Sequence, residues 1–248
     1  MDPIRIATYN MRQGGSLQNW LKIREVADPD LLLVQESKDP STFSRDLIEP
    51  LDVEGALWRP VADNKWGSAI WARSSSLEEI PVPGFEGWVI GGRTDLGGTS
   101  TMVFSVHLPP RGGSYVQSGN ELMDVLGPLI GDSTCILGGD WNFTVAMRDP
   151  GDPRGHRRGE VEFLLRMVDE FALVPAWRAA HPEGKLPQTL RWMRDPRTPY
   201  HCDGVFMTEA LASQVTSAEV LSGPPWLTLS DHNPVVFELG PTAAAEAF

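Results

Sequence analysis

Short apolar runs recur along the whole chain, and Gly, Pro, Asp or Ser bounds most of them. Most runs are rich in Val, Ile, Trp, Phe or Thr, the residues that suit a pleated and half-buried sheet surface. The pattern therefore predicts strands at IRIATYNM, DLLLVQES, WGSAIWAR, GWVIGG, STMVFSVHL, STCILGG, CDGVFM, TSAEVL and PVVFEL.

Some stretches between these runs have the apolar spacing of helices. One of them, SGNELMDVLGPLI, is interrupted by Gly127 and Pro128. The other two predict an apolar face each, formed by Leu17, Trp20, Leu21, Ile23 and Val26 in SLQNWLKIREVAD, and by Val161, Leu164, Leu165 and Val168 in RRGEVEFLLRMVDEFA.

The order of these elements predicts an α/β fold. Strands dominate and do not alternate regularly with helices, which favours two sheets packed face to face with helices outside. A doubly wound parallel sheet is the alternative. No repeat or linker divides the chain, so we expect one domain over residues 1–240, and GPTAAAEAF predicts a flexible tail over 241–248.

Polar side chains stand at the ends of the predicted strands. Because the ends of some strands adjoin the beginnings of others in a mixed sheet, these groups can gather at one edge. The set comprises Asn10, Glu36, His107, Asp140, Asn142, Asp203, Asp231 and His232.

Each of these residues also has a structural explanation. Asn10 and Glu36 could serve a turn or a cap, and His107 could be a satisfied histidine near the core. Asp203 could pair with Arg197, and the SDHNP segment could be an Asx turn. Taken together, acids, amides and imidazoles at equivalent strand ends predict an active site.

The segment TCILGGDWNF shows how such a site is built. In an extended chain, residues two apart point the same way, so Asp140 and Asn142 are predicted to lie side by side at the mouth of a buried strand. Asp140 can orient a water for attack on phosphorus, while the Asn142 amide steadies a phosphate oxygen.

The remaining residues suit a metal-assisted reaction of a phosphate ester. Oxygen ligands favour a hard cation, Mg²⁺ with Mn²⁺ as the alternative, over zinc. Glu36 is the main predicted ligand, supported by Asn10 and Asp231. A histidine near phosphate can stabilise growing charge or protonate a leaving oxygen, and Asp203 is the natural carboxylate partner of His232.

Net charge limits how such a protein holds its substrate. The 248 residues carry a charge of −12, with a pI near 4.8, which argues against a broad basic surface for nucleic acid. Local arginines could still face phosphate or be solvated loop residues. The candidates are Arg154, Arg157 and Arg158 in one cluster, Arg191, Arg194 and Arg197 in another, and Arg111.

Other features of the chain give weaker expectations. Cys135 and Cys202 are too few for a disulfide framework or a zinc site. The start of the chain lacks the pattern of a leader, and no stretch is apolar for long enough to span a bilayer, so we expect a cytoplasmic monomer without a membrane partner. Tryptophans including Trp66, Trp141, Trp192 and Trp226 could stack on bases, although core packing is the commoner use.

The blocks LLLVQES, GGDWNF and SDHNPV, in this order, resemble the endonuclease/exonuclease/phosphatase superfamily, with its deoxyribonuclease I-like and exonuclease III-like branches. The resemblance covers nearly the whole chain, from TYNMR to SDHNPVVFEL. It implies a four-layered α/β sandwich that cleaves phosphate esters with magnesium. It also implies metal binding by Asn10 and Glu36 with Asp231 nearby, water and phosphate positioning by Asp140 and Asn142, and contact of His107 with the scissile phosphate.

Two positions mix features of different branches. Exonuclease III-like members have a tyrosine where this chain has His107, while the segment from Trp177 to Pro182 is similar to the Trp-Arg-x-x-His-Pro segment of those enzymes and of retroelement endonucleases. His201 stands where an arginine is usual. The chain therefore combines features of several branches, and its substrate has to be argued from its own site.

Three functions agree with the sequence. The leading one is a magnesium-dependent nuclease acting on DNA, as an endonuclease or exonuclease. The second is the same chemistry on a small phosphoester or a lipid headgroup, which the charge of −12 tolerates better. A non-enzymatic binding module is disfavoured, because degenerate members typically lose some of the acidic and histidine groups retained here.

Overall fold

A computed structural model of the protein describes residues 3–43, 55–73, 75–194 and 200–240, without the side chain of Arg194. Arg197 and the predicted tail therefore lie outside the described residues. The strands are β1 Ile4–Gly15, β2 Leu31–Ser37, β3 Leu57–Pro60, β4 Gly67–Ala72, β5 Glu78–Ile80, β6 Val89–Leu96, β7 Thr99–His107, β8 Cys135–Asp140, β9 Leu173–Pro175, β10 Asp203–Thr208, β11 Val215–Val220 and β12 Val235–Leu239. The helices are α1 Leu17–Ala27, α2 Tyr115–Ile130, α3 Arg158–Phe171, α4 Ala176–Ala180, α5 Glu209–Ala212 and α6 Trp226–Leu229, with 3₁₀ turns at Pro40–Thr42 and Trp192–Arg194.

The described strands form two six-stranded sheets. The first has the order β11-β12-β1-β2-β4-β3, in which β1 and β2 are parallel and their other pairings are antiparallel. The second has the order β5-β6-β7-β8-β10-β9, in which β7 and β8 are parallel. Both sheets are therefore mixed. Along the edge that runs across the strands, the ends of some strands lie beside the beginnings of others.

Side chains of β2 show how the layers pack. Leu31 and Leu33 belong to the core between the two sheets, whereas Leu32 and Val34 pack in the cluster that contains Trp20 of α1. Successive residues of a strand face opposite sides, so this continuous apolar run marks a strand buried on both faces. The order helix, sheet, sheet, helix confirms the predicted four-layered sandwich and excludes the doubly wound alternative.

Every strand predicted from the apolar runs is present, but β3, β5 and β9 were not predicted. All three have only three or four residues and lie at sheet edges. Their segments are too short to show a period, and one face of an edge strand needs no apolar residue. Short edge strands therefore leave little signal in the sequence.

The predicted apolar faces of α1 and α3 are partly wrong. Leu21 and Val26 of α1 are 41% and 42% exposed, and Leu165 and Val168 of α3 are 49% and 41% exposed. In α3 the buried face lies one residue earlier, because Phe163 inserts into a ring cluster of the second sheet. The buried residues are Asn19, Trp20, Ile23 and Ala27 in α1, and Glu160, Phe163, Leu164 and Met167 in α3.

Two glycines, Gly138 and Gly139, precede Asp140 at the end of β8, where neighbouring groups approach the strand closely. A Cβ atom on Gly138 would lie 2.6 Å from Leu33 Cδ1 of the other sheet, and a Cβ atom on Gly139 would lie 1.8 Å from the carbonyl oxygen of Val106 in β7. The missing side chains allow Leu33 of the first sheet and the backbone of β7 to lie close to the strand that ends at Asp140.

Gly139→Ala is expected to lower the free energy of unfolding by about 3 kcal/mol, the upper part of the usual range for overpacking, because the β7 backbone cannot move aside. Gly138→Ala is expected to cost less, since the Leu33 side chain can rotate. Chemical denaturation measures both values. Gly151→Ala is the control because, in the part of the chain that the structure describes, nothing lies within 4 Å of its added Cβ. Equal stability of the Gly139 and Gly151 variants would contradict this packing account.

Two further features of the described residues bear on the earlier expectations. Cys135 and Cys202 are buried free thiols, and burial raises the pKa of both. Among the described helices, none combines the length and apolar character required to cross a bilayer.

Candidate active site

Ends of the first sheet bring four predicted residues to one edge. Because β1 and β2 are parallel, Asn10 and Glu36 approach the same edge, and Asn10 pairs with the residue before Glu36. Strand β12 is antiparallel to β1, so Asp231 and His232, which precede β12, lie at that edge too.

The second sheet contributes three more predicted residues by the same rule. His107 ends β7 and pairs in register with Asp140 at the end of the parallel strand β8. Asp203 begins the antiparallel strand β10 and pairs with Asp140 from the other side. The structure therefore brings the predicted strand-end residues of both sheets into one group, as expected.

Asp140 lies at the centre of this group and is buried. Its Oδ2 accepts a hydrogen bond from Asn10 Nδ2 at 3.0 Å and lies 3.8 Å from His232 Nε2 and 3.9 Å from His107 Nε2. Burial raises the pKa of Asp140, and the charge of His232 opposes that shift. A basic carboxylate between two imidazoles can hold a water and accept its proton.

Asn142 reaches Asp140 by a route that differs from the prediction. The chain is not extended there, because Asn142 has a φ of 57°. The side chain of the intervening Trp141 is buried in the core. The Asn142 backbone N–H donates to Asp140 Oδ1 at 2.9 Å, and the Asn142 side-chain amide donates to the Leu108 carbonyl at 3.2 Å. A turn, not strand alternation, therefore places the two residues together.

His232 and Asp203 form a buried pair. His232 Nδ1 lies 2.9 Å from both carboxylate oxygens of Asp203, which leaves Nε2 directed toward Asp140. Burial alone would lower the pKa of His232, but the charges of Asp203 and Asp140 outweigh it and raise that pKa to about 10. The imidazole therefore stays protonated at neutral pH and can stabilise negative charge on a phosphate oxygen.

Asp203 is itself held by neighbours that the sequence did not reveal. The Thr189 hydroxyl accepts the backbone N–H groups of Cys202 and Asp203 at 3.0 and 3.1 Å. The Cys202 thiol lies 3.6 Å from Asp203 Oδ2. No local pattern marks Thr189, because its partners are distant in sequence and meet only in the fold.

Glu36 lies at an irregularity of β2, where the register with β4 shifts between Val34 and Ser37. Its φ of 55° is unusual for a residue other than glycine, a conformation that persists at sites held by their surroundings. Asn10 Nδ2 donates to Glu36 Oε1 at 3.1 Å, and the backbone N–H of Gln13 donates to Oε2. Asn10 thus bridges the carboxylates of Glu36 and Asp140.

Asp231 lies at the same edge, and its two carboxylate oxygens have different surroundings. Its Oδ2 lies 3.4 Å from Nε of Arg12, whereas its buried Oδ1 has no hydrogen-bond partner among the described residues. Arg12 was not predicted as a site residue, although it follows Asn10 closely in TYNMR. Its half-exposed side chain places a positive charge beside the carboxylates.

Two groups of side chains could hold a metal. Asp140, Cys202, Asp203 and His232 offer ligand atoms within 4.8 Å of one another. In that group, however, Asp203 already binds His232, and burial together with the Asp203 charge raises the pKa of the Cys202 thiol. The oxygens of Glu36 and Asp231 suit a hard divalent cation better, and the unpartnered Asp231 Oδ1 fits that use.

Arg191 does not face substrate, which corrects its predicted role. The residue is 4% exposed, and its guanidinium donates to the carbonyls of Trp226 and Ser230 and to Asn233 Oδ1. Burial lowers the pKa of Arg191. It therefore fixes the segment that carries Asp231 and His232, while the Ser230 hydroxyl ties that segment to the Asn10 carbonyl at 2.8 Å.

Most other candidate arginines have local acidic partners. Arg111 stacks on Phe85 at 3.8 Å, binds Glu121 at 3.1 Å and donates to the Gly84 carbonyl, so its contacts are structural and its predicted substrate role gains no support. Arg154 and Arg158 pair with Asp152 and Glu162. The side chain of Arg194 and the whole of Arg197 lie outside the described residues.

The Trp-Arg-x-x-His-Pro segment is structural as well. Trp177 and His181 stack with ring centroids 4.6 Å apart, and Arg178 donates to the carbonyls of Met147, His181 and Gly184. These bonds tie α4 to the loop that follows Asn142. Burial lowers the pKa of His201 to about 4, so this residue is neutral and does not replace the positive charge of an arginine.

Comparison with known proteins identifies the family of this chain. Residues 7–232 match the sequence profile of the Endonuclease/Exonuclease/phosphatase family. A transposon TX1 uncharacterized 149 kDa protein of Xenopus laevis is 27% identical over 137 residues, which are 55% of this chain and 10% of that protein. The match thus spans about a tenth of the relative's length.

Solved structures have the same fold at low sequence identity. The endonuclease domain of TRAS1, a telomere-specific non-LTR retrotransposon, is 19% identical with a TM-score of 0.65, covering 96% of this chain and 99% of that one. The 3′ phosphatase NExo from Neisseria, bound to a product DNA hairpin, is 17% identical with a TM-score of 0.72, covering 95% and 99%. An AP endonuclease from Archaeoglobus fulgidus is 20% identical with a TM-score of 0.66, covering 95% and 99%.

Proposed function

Since the chain belongs to the Endonuclease/Exonuclease/phosphatase family and carries the site of a phosphoric ester hydrolase, we propose that it is a magnesium-dependent nuclease that hydrolyses phosphodiester bonds of DNA. One observation carries this proposal. Asn10, Asn142, His107 and His232, from both sheets, all lie against the buried carboxylate of Asp140. Such an arrangement serves a reaction in which a water loses a proton beside an anionic phosphate.

The protein's own residues supply most of the chemistry. Asp140 orients a water and accepts its proton as the oxygen attacks phosphorus, a task that a carboxylate with a raised pKa performs well. His232, kept protonated by Asp203, donates a hydrogen bond to a phosphate oxygen as its negative charge grows. His107 Nε2 lies 3.5 Å from Glu36 Oε1 and 3.9 Å from Asp140 Oδ2, within reach of a phosphate bound at Asp140.

A divalent cation completes the proposed site. Bound Mg²⁺ would neutralise phosphate charge and stabilise the leaving oxygen. Glu36 and Asp231 would hold the ion, while Asn10 keeps Glu36 at a fixed distance from Asp140. Mn²⁺ is the alternative ion, because it takes the same oxygen ligands.

The solved structures with this fold support DNA as the proposed substrate. The solved relatives with this fold include an enzyme bound to a DNA hairpin, an AP endonuclease and the endonuclease domain of a retrotransposon. The net charge of −12 disfavours a long basic binding surface, so contact with the phosphate backbone would be local, through the cation and Arg12.

A substrate panel tests this proposal. Single- and double-stranded DNA, RNA, a phosphomonoester and phosphocholine esters are incubated with purified protein and Mg²⁺. We expect cleavage of DNA. Hydrolysis of small phosphoesters or lipid headgroup esters with intact DNA would contradict it and select the alternative, a phosphatase or phosphodiesterase for small substrates.

Glu36→Gln is expected to weaken Mg²⁺ binding at least as much as the loss of an outer neighbour of a metal ligand, which costs about 10- to 100-fold, because the amide removes one negative charge while keeping the shape. Calorimetric titration with Mg²⁺ measures the affinity, and the Mg²⁺ dependence of DNA cleavage should shift to match. Glu79→Gln is the control. Glu79 lies on the edge strand β5 and pairs with Arg59 of β3. Equal Mg²⁺ affinity of the two variants would place the cation elsewhere.

A further inference from the structure

Two tryptophans flank His107 at the edge of the active site. The ring centroids of Trp66 and Trp88 lie 5.7 and 5.0 Å from the His107 ring and 5.5 Å from each other, in an edge-to-face arrangement. Both tryptophans are only partly buried, whereas Trp141 and Trp226 are core residues. We call Trp66 and Trp88 the aromatic wall.

The position of Trp88 is built by specific contacts. Its carbonyl oxygen accepts the backbone N–H of His107 at 2.9 Å and the hydroxyl of Ser68 at 2.8 Å. The preceding Gly87 has a φ of 76°, and a Cβ atom there would lie 2.0 Å from the Pro60 carbonyl oxygen. Only glycine therefore fits the turn that presents Trp88 beside His107.

The two halves of the wall come from different sheets. Trp66 directly precedes β4 of the first sheet, and Trp88 directly precedes β6 of the second. The Gly87 carbonyl accepts the backbone N–H of Ser68, which links the two segments. The wall thus stands where the sheets meet, at the same edge as Glu36 and Asp140.

His107 connects the wall to the reacting groups. Its side chain is 9% exposed, and its Nε2 lies 3.5 Å from Glu36 Oε1 and 3.9 Å from Asp140 Oδ2. Its Nδ1 is buried, and no described residue forms a hydrogen bond with it. A group bound against the wall would therefore lie next to a phosphate at Asp140.

We propose that the aromatic wall binds a nucleobase of the substrate by stacking, beside the phosphate to be cleaved. This inference rests on the proposed nuclease function and specifies its substrate as a base-bearing nucleotide. Indole rings stack on any base, because every base has a flat π-face. An inositol headgroup has no such face, whereas a choline headgroup would bind indole rings through a cation–π contact. The uncharged thymine base and 2-aminopurine of the tests below therefore report base stacking and not cation binding.

Three phosphodiesters with one leaving group test the inference: the 4-nitrophenyl esters of thymidine 5′-phosphate, thymidine 3′-phosphate and methyl phosphate. The unaltered protein should prefer at least one thymidine ester. Trp66→Leu and Trp88→Leu should lower the ratio of kcat/KM for that ester to kcat/KM for the methyl ester on the order of tenfold, mainly through the KM of the thymidine ester. Because both rings pack on His107, this ratio is the readout and not the rate on the methyl ester. Trp66→Phe and Trp88→Phe should retain most of the preference.

Phe171→Leu is the control, because Phe171 is a partly buried ring on α3. Thermal melting checks that each variant is folded. Equal losses on thymidine and methyl esters, or no loss on either, would overturn the inference although the enzyme remains a phosphodiesterase.

A binding measurement keeps the inference open to test if no ester is cleaved. An oligonucleotide containing 2-aminopurine is titrated with the unaltered protein and with both leucine variants. Fluorescence quenching that weakens in the variants supports stacking even without turnover. Absence of quenching by the unaltered protein would overturn the inference, and absence of cleavage of any DNA would separately overturn the nuclease function.

Discussion

Asp140→Asn is expected to reduce kcat for DNA cleavage by about 10²- to 10⁴-fold, the usual contribution of a positioned acid or base. The amide has nearly the same shape but cannot accept a proton from water. It also removes the charge that lies 3.8 Å from His232 and 3.9 Å from His107. Single-turnover cleavage of a labelled duplex measures the effect.

Asp30→Asn is the matched control for this substitution. Asp30 precedes β2, at the opposite end of that strand from Glu36, and it accepts the backbone N–H of Arg5 at 2.8 Å. This variant should cleave DNA at the unaltered rate. If Asp140→Asn loses less than tenfold, Asp140 does not take the proton of the attacking water.

Asp203→Asn is expected to lower kcat at neutral pH by about 10²- to 10³-fold, since a neutral amide no longer keeps His232 protonated. The pKa of His232 is raised by Asp203, Asp140 and Asp231 from 6.5 to about 10. Activity that needs the imidazolium should therefore persist until the pH approaches 10 and then fall. In Asp203→Asn the alkaline limb of the pH–rate profile should move toward neutral pH.

The same shift affects stability with a defined sign. A pKa that is raised on folding stabilises the folded state fully below pH 6.5, and this contribution is lost as pH rises through about 10. His232→Gln should flatten that part of the stability profile.

The control for the pH–rate profile is His181→Gln, whose histidine bonds the Ala218 carbonyl at 2.8 Å, and this variant should leave the profile unchanged. An unmoved alkaline limb in Asp203→Asn would show that another group sets it.

Strand ends were the most informative part of the sequence. In a mixed sheet the ends of some strands adjoin the beginnings of others, so the polar residues after Tyr9, Gln35 and Val106 were expected to gather on one side of the sheets. The pairing of His107 with Asp140 and of Asp203 with Asp140 confirms that geometry. Polar residues at the ends of buried strands thus carry long-range information, because the sheet fixes their separation.

Other contacts could not be read from the sequence, since they depend on residues distant in the chain. Arg191 binds carbonyls about 35 and 39 residues away, and an exposed arginine would show the same local pattern. The helix face of α3 was misplaced by one residue because Leu165 and Phe163 are both apolar, and only the ring cluster decides between them. The partners of Trp88 were hidden for the same reason.

Cleavage of supercoiled plasmid tests the central claim most directly. The unaltered protein, Asp140→Asn and Asp30→Asn are incubated with plasmid and Mg²⁺, and a parallel set contains excess EDTA. We predict relaxed or degraded plasmid only with Mg²⁺ and only for the unaltered protein and Asp30→Asn. A plasmid and a labelled linear duplex that are both left intact by the unaltered protein with bound Mg²⁺, or that are cleaved equally by Asp140→Asn, would contradict the proposed nuclease site.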